Sequence, residues 1–109
     1  MEDWRAVAEL DALREGVINK ASSEGAELIV LRFGGELAAF VDSCPHEGHP
    51  LCLGELQGDV LVCAKHLWEF DARSGEHISR VRRPEHDLRK LPVRVVAGKA
   101  EVDLSGIFE

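Results

Sequence analysis

Ser43-Cys44-Pro45-His46-Glu47-Gly48-His49-Pro50-Leu51-Cys52-Leu53-Gly54-Glu55-Leu56-Gln57-Gly58 contains two prolines and three glycines and follows neither a helical nor a strand period. A loop of that length in a small domain needs something to hold it in place. The sequence offers a means. Cys44-Pro45-His46 opens the stretch, and after 16 further residues comes Cys63-Ala64-Lys65-His66. Each box brings one thiolate and one imidazole within reach of a single metal centre. Two sulfurs and two nitrogens suit one tetrahedral zinc ion. They equally suit a binuclear iron–sulfur centre with both thiolates on one iron and both imidazoles on the other. Spacing alone leaves the two open.

The rest of the chain narrows the setting. With 109 residues, 45% of them hydrophobic and 30% charged, residues 1–109 read as one folded domain with a thin core. The formal charge of −7 disfavours nucleic acid, which calls for Lys and Arg on one face. No apolar run approaches the roughly 20 residues of a membrane span, and Met1-Glu2-Asp3-Trp4-Arg5 lacks the basic, then apolar, start of a signal peptide. The expectation is a soluble cytoplasmic protein, where three cysteines serve better as ligands than as disulfides. Residues 44–70 hold Glu47, Glu55, Asp59 and Glu69 against Lys65 as the sole cation.

Short apolar runs between turn signals dominate. Glu27–Phe33 and Glu36–Val41 flank Gly34-Gly35, Asp59–Cys63 stands alone, and Leu91–Ala97 and Ala100–Leu104 flank Gly98-Lys99. Such spacing predicts hairpins and an all-β domain of small antiparallel sheets. Trp4, Val7, Leu10 and Leu13 recur every three residues, which by itself is a helical period. We read it as a short strand from Trp4 followed by one helical turn at Leu10–Leu13 that stops at Gly16.

Taken together, Cys-x-His, 16 residues and Cys-x-x-His resemble the Rieske signature. The surroundings agree: Leu51, Gly54-Glu55-Leu56 and Gly58-Asp59 lie between the boxes, and His66-Leu67-Trp68-Glu69-Phe70-Asp71 followed by Gly75 comes after them. The chain is similar to the small Rieske ferredoxins of bacterial multicomponent oxygenases. That resemblance implies one Rieske-type [2Fe–2S] cluster, with Cys44 and Cys63 on the inner iron and His46 and His66 on the outer one. It implies a Rieske fold, a sandwich of small antiparallel sheets plus a cluster-binding subdomain of two loops at about residues 43–71. A third loop, around Arg83-Pro84-Glu85, would pack over the cluster. The family's role is to carry single electrons from a flavin-containing NAD(P)H reductase to a terminal oxygenase, docking transiently with each as a monomer and catalysing nothing alone. Cys63-Ala64-Lys65-His66-Leu67-Trp68 resembles most the ferredoxins of toluene-type diiron monooxygenases, and next those of ring-hydroxylating dioxygenases. A zinc-stapled binding module and the small Rieske-like subunit of a nitrite reductase are the readings from other classes.

Departures from high-potential relatives set a further expectation. Those proteins place hydroxyl donors after the second box, where this chain has Trp68 and Phe70, and it contains no tyrosine. With fewer donors to sulfur, the potential should lie near roughly −150 mV rather than +300 mV. The remaining candidates have plainer readings. Cys52 suits a small hydrophobe, His77 and His86 suit surface or turn positions, and Trp4 and Trp68 suit packing. Glu47, Glu55 and Glu69 are candidate docking charges, and the cations from Arg80 to Arg94 suit a solvated face or a second docking patch.

Overall fold

The computed structural model describes residues 2–42, 54–63, 68–78 and 87–105. Among them the chain forms β1 (Trp4–Glu9), a 3-10 turn (Leu10–Ala12), β2 (Ile18–Ser23), β3 (Ala26–Phe33), β4 (Glu36–Val41), β5 (Glu55–Gln57), β6 (Val60–Val62), β7 (Glu69–Asp71), β8 (Lys90–Leu91), β9 (Val93–Val96) and β10 (Lys99–Asp103). All pair antiparallel, in three sheets: an outer sheet ordered β1-β10-β9, a central sheet ordered β2-β3-β4-β8, and a site sheet ordered β5-β6-β7. The all-β expectation holds. No helix among the described residues is long and apolar enough to cross a membrane.

The continuous apolar run in β3 has a direct cause: the central sheet is covered on both faces. Ile29, Leu31 and Phe33, with Ala38 and Phe40 of β4, pack against Leu56, Leu61 and Phe70 of the site sheet. Leu28 and Val30, with Ala39 and Leu91, pack against Ala100, Val102 and Leu104 on the opposite side. A strand with two buried faces needs no polar alternation. Each fully buried Leu or Ile there contributes about 1.5–3 kcal/mol.

Turn chemistry sets the registers. Gly34 and Gly35, at φ 56° and 79°, join β3 to β4 with Phe33 opposite Glu36. That two-residue turn is the one expected from Gly-Gly. Between β9 and β10, however, Val96 pairs with Lys99, so the turn is Ala97-Gly98 and lies one residue before the expected Gly98-Lys99. Ala97 accepts φ 52° to make it, a conformation uncommon outside glycine. The strand expected at Asp59–Cys63 narrows to Val60–Val62, with Asp59 in the turn.

At the N-terminus the strand followed by a single turn is confirmed. β1 pairs with β10 through a register shift between Ala6 and Ala8. Val7, Ala8 and Leu10 all pack against the core. The three-residue period therefore belongs to an irregular strand entering a 3-10 turn. Both ends of this ladder are tied together: the Asp3 N–H donates to Asp103 Oδ1 at 2.9 Å and the Leu104 N–H to the Asp3 carbonyl at 2.9 Å.

Candidate metal centre

The site sheet is small because its strands only need to carry loops. β6 ends at Val62, and Cys63 follows at 0% exposure among Leu56, Leu61, Phe70 and Ala72. The Cys63 N–H donates to the Trp68 carbonyl at 2.8 Å, which closes the base of the second box. Among the described residues Cys63 forms no disulfide. A buried thiol is by itself an ordinary core residue. Its position immediately after a strand, at a hydrogen-bonded loop base in a Cys-x-x-His box, is what fits a thiolate ligand of a [2Fe–2S] cluster. Cys44, His46 and His66 lie outside the described residues, as do Glu47, Cys52, His86 and the Arg83-Pro84-Glu85 segment.

Trp68 returns the chain to the sheet. It is half-buried, packed on the same core as Cys63. Its ring stacks on His77, with centroids 4.5 Å apart and planes 28° apart, and His77 also meets Phe70 at 5.4 Å. The surface or turn position expected for His77 is thus corrected: it is 2% exposed. The Asp71 N–H bonds the Glu76 carbonyl and the Ile78 N–H bonds the Glu69 carbonyl, so residues 76–78 lie alongside β7 and turn His77 inward beside Phe70. The sequence signal was the mirror placement of Phe70 and His77 about the Ala72–Gly75 turn.

That turn is built by two residues of the motif. Asp71 Oδ1 accepts from the N–H groups of Arg73 at 2.8 Å and Ser74 at 3.1 Å. Gly75 sits at φ +80°, where a Cβ would lie 2.8 Å from Phe40 Cε1 and 3.1 Å from Leu88 Cβ. Only glycine meets both demands. Just beyond, the Gly75 carbonyl accepts the Leu88 N–H at 2.7 Å, and Asp87 Oδ1 accepts the His77 N–H at 2.8 Å. Residues 75–77 and 87–88 are thereby joined at the base of the intervening segment.

A second base lies nearby. Asp42, the last described residue before the first box, is buried, accepts a bond from Lys20 Nζ at 3.3 Å and donates its own N–H to the Glu27 carbonyl. Opposite the row of Leu56, Leu61 and Phe70, the site sheet pairs Glu55, buried Val62 and Glu69 in one cross-strand row, at the end where Cys63 and Trp68 lie. Glu55 and Glu69 are both exposed. At the far end Arg73 spans to the central sheet, meeting Glu36 at 2.7 Å and Asp59 at 2.9 Å and lying 5.3 Å over the Phe33 ring. Its hydrogen bonds to Glu36 and Asp59 raise its pKa further above the ordinary arginine value. Of the cations read as a solvated face or a second docking patch, Arg94 is exposed, lies 4.1 Å over the Trp4 ring and pairs with Glu101 at 2.8 Å.

The model of the Rieske [2Fe–2S] domain family matches residues 3–92. Among curated relatives, the ferredoxin component of an alkene monooxygenase system from Xanthobacter autotrophicus is 28% identical, across 85% of this chain and 75% of its own length. The ferredoxin component of a naphthalene 1,2-dioxygenase system from Pseudomonas aeruginosa is 26% identical, across 95% and 98%. A chain in the complex of reduced oxygenase and oxidised ferredoxin of carbazole 1,9a-dioxygenase superposes with a TM-score of 0.80 at 30% identity, covering 92% of each chain. Other relatives are much longer, and this chain spans 16–29% of their length.

Proposed function

The chain belongs to the family of Rieske [2Fe–2S] domains, and on that footing we propose that it is a single-electron carrier of an oxygenase system, with Cys44 and Cys63 on the inner iron and His46 and His66 on the outer one. The cofactor is one Rieske-type [2Fe–2S] cluster, which supplies a one-electron couple near roughly −150 mV. Family membership also sets the zinc alternative aside. The observation that carries the reading is Cys63 itself, buried at the base of the second box, at the end of the sheet that bears the exposed Glu55 and Glu69.

The chain's own residues do three things. The Cys63 peptide, held by the Trp68 carbonyl, orients the thiolate. Leu56, Leu61, Phe70 and Trp68 keep water from that side, which strengthens every electrostatic interaction there. Glu55 and Glu69 present negative charge beside the second box, suited to basic patches on a flavin-containing reductase and on a terminal oxygenase. Both kinds of oxygenase ferredoxin occur among the relatives. Within them, Cys63-Ala64-Lys65-His66-Leu67-Trp68 favours a diiron monooxygenase acting on an aromatic or similar hydrocarbon, with a ring-hydroxylating dioxygenase as the second reading. The setting is cytoplasmic.

Anaerobic stopped-flow mixing tests this. The red-brown oxidised protein should take up one electron from NAD(P)H through a flavin reductase and return it to an oxygenase. Both rates should fall between about 0.01 M and 0.5 M salt, as the screening length shrinks from roughly 30 Å to a few Å. A colourless chain, or one that cannot be reoxidised by either class of oxygenase, overturns the proposal.

A further inference from the structure

Two loop bases meet at one buried residue. The ring of His77 lies against Trp68, whose carbonyl holds the Cys63 N–H, and the His77 peptide N–H is held by Asp87. We propose that His77 is a positioning residue for the cluster, coupling the second ligand box to the chain that re-enters at Asp87. This rests on the reading of Cys63 and His66 as ligands.

The coupling follows from the geometry. A stack with centroids 4.5 Å apart is an attractive aromatic contact beyond simple area burial. It restrains the indole, and with it the peptide that receives the Cys63 N–H. Trp68 is half-buried, so tilting its ring away from His77 admits water beside Cys63. On the other side of His77, its N–H bond to Asp87 and the Leu88 N–H bond to the Gly75 carbonyl close a ring of residues 75–88. His77 therefore touches both the solvent shielding of the cysteine and the point where the chain re-enters at Asp87. Water admitted there acts on a cluster that gains one negative charge on reduction, because that charge is better tolerated in a wetter, higher-dielectric site. Loosening His77 should therefore raise the reduction potential.

The test uses the cluster-loaded full chain with His77→Ala, His77→Phe and Asp87→Ala, read by protein-film voltammetry, visible circular dichroism and thermal unfolding. His77→Ala should make the cluster about tenfold more reduced at the wild-type midpoint, about 59 mV for one electron, and alter its visible dichroism. His77→Phe, which keeps an aromatic ring against Trp68, should restore both towards wild type. Asp87→Ala should move the potential in the same direction and by less. If His77→Ala loads its cluster and lowers only the melting temperature, or if His77→Phe shifts the potential as far as His77→Ala does, the proposal falls. Should His77→Ala not load, Asp87→Ala decides, and an unmoved potential there overturns it. A wild-type chain without a Rieske spectrum would instead sink the ligand reading.

Discussion

The central and site sheets share one core but are stabilised by different means. In the central sheet β2, β3 and β4 pair over six residues at each junction, and both faces of β3 are covered. The site sheet has three strands of three residues, and it meets the shared core through Leu56, Leu61 and Phe70 alone among its strand residues. Strands that short are marginal without outside support. Their support comes from bonds across loops and turns: Cys63 to Trp68, Ala72 to Asp59, Gly75 to Asp71 and Leu88 to Gly75. The ligand box at Cys63 thus stands in a sheet with little packing of its own, and a cluster held there should couple metal binding to the folding of that sheet.

The sharpest way to break this contrast is to remove a ligand. Cys63→Ser should lose the visible cluster spectrum altogether, whereas Cys52→Ser should keep it. Absorption and visible dichroism of the two variants decide, and a colourless Cys52→Ser chain with an intact fold would reverse the ligand assignment. Stripping the cluster from the wild-type chain is the next test. Amides of Leu28–Leu31 should keep their hydrogen-exchange protection, while those of Leu61, Cys63 and Phe70 should exchange at least about a hundredfold faster, about 2.7 kcal/mol of local stability. Equal loss in both sheets would mean that they fold as a single unit.

Two glycines at nearly the same φ offer a finer comparison. Gly75→Ala meets Phe40 and Leu88 as well as an unfavourable φ, so it should cost about 2–4 kcal/mol. Gly98→Ala, with φ +78° and open space around it, should cost about 1–2 kcal/mol. Urea unfolding of both variants tests whether the join between the central and site sheets is as tight as the distances indicate.

The smallest effect concerns the outer sheet. Backbone N–H bonds from Asp3 and Ser105 hold the Asp103 carboxyl below the ordinary carboxylate value. A depressed folded-state pKa stabilises above the unfolded value and loses that contribution as pH falls through the folded one. Asp103→Asn should therefore be less stable than wild type at neutral pH and approach it in acid below about pH 4. A gap that stays constant from pH 7 to pH 2 would remove the carboxylate from the account.

Much of this was legible in the sequence because strong local signals agreed with the fold. Gly34-Gly35 between two apolar runs marked the β3–β4 hairpin, and the paired boxes marked the family of Rieske [2Fe–2S] domains. β2 escaped because Asn19, Lys20, Ser22 and Ser23 put polar residues on both faces of the strand, leaving only Ile18 and Ala21, on opposite faces, to pack against the core. β5 and β7 are too short for any period to register. His77 escaped for a different reason: its burial depends on residues 76–78 lying beside β7, and the mirror placement of Phe70 and His77 about one turn is too short a signal to stand out beside the motif. The one-residue error at Ala97-Gly98 arose because glycine can serve at either position of such a turn, and β10 settles the matter by burying Ala100 and Val102.

The adjacency of Asp3 and Leu104 has a bearing on modular architecture. Trp4 faces Asp103 at the edge of the outer sheet, so the chain enters and leaves through neighbouring positions of one ladder. A domain with that arrangement can be spliced into a longer polypeptide, or circularly permuted by a short linker from residue 105 to residue 2, without strain on its interior. New termini opened at the exposed Glu24-Gly25 turn would lie on the opposite edge of the central sheet from β8, the strand beside which the chain re-enters after residues 79–86. Such a rearranged chain would offer a different point of attachment for a fused redox partner.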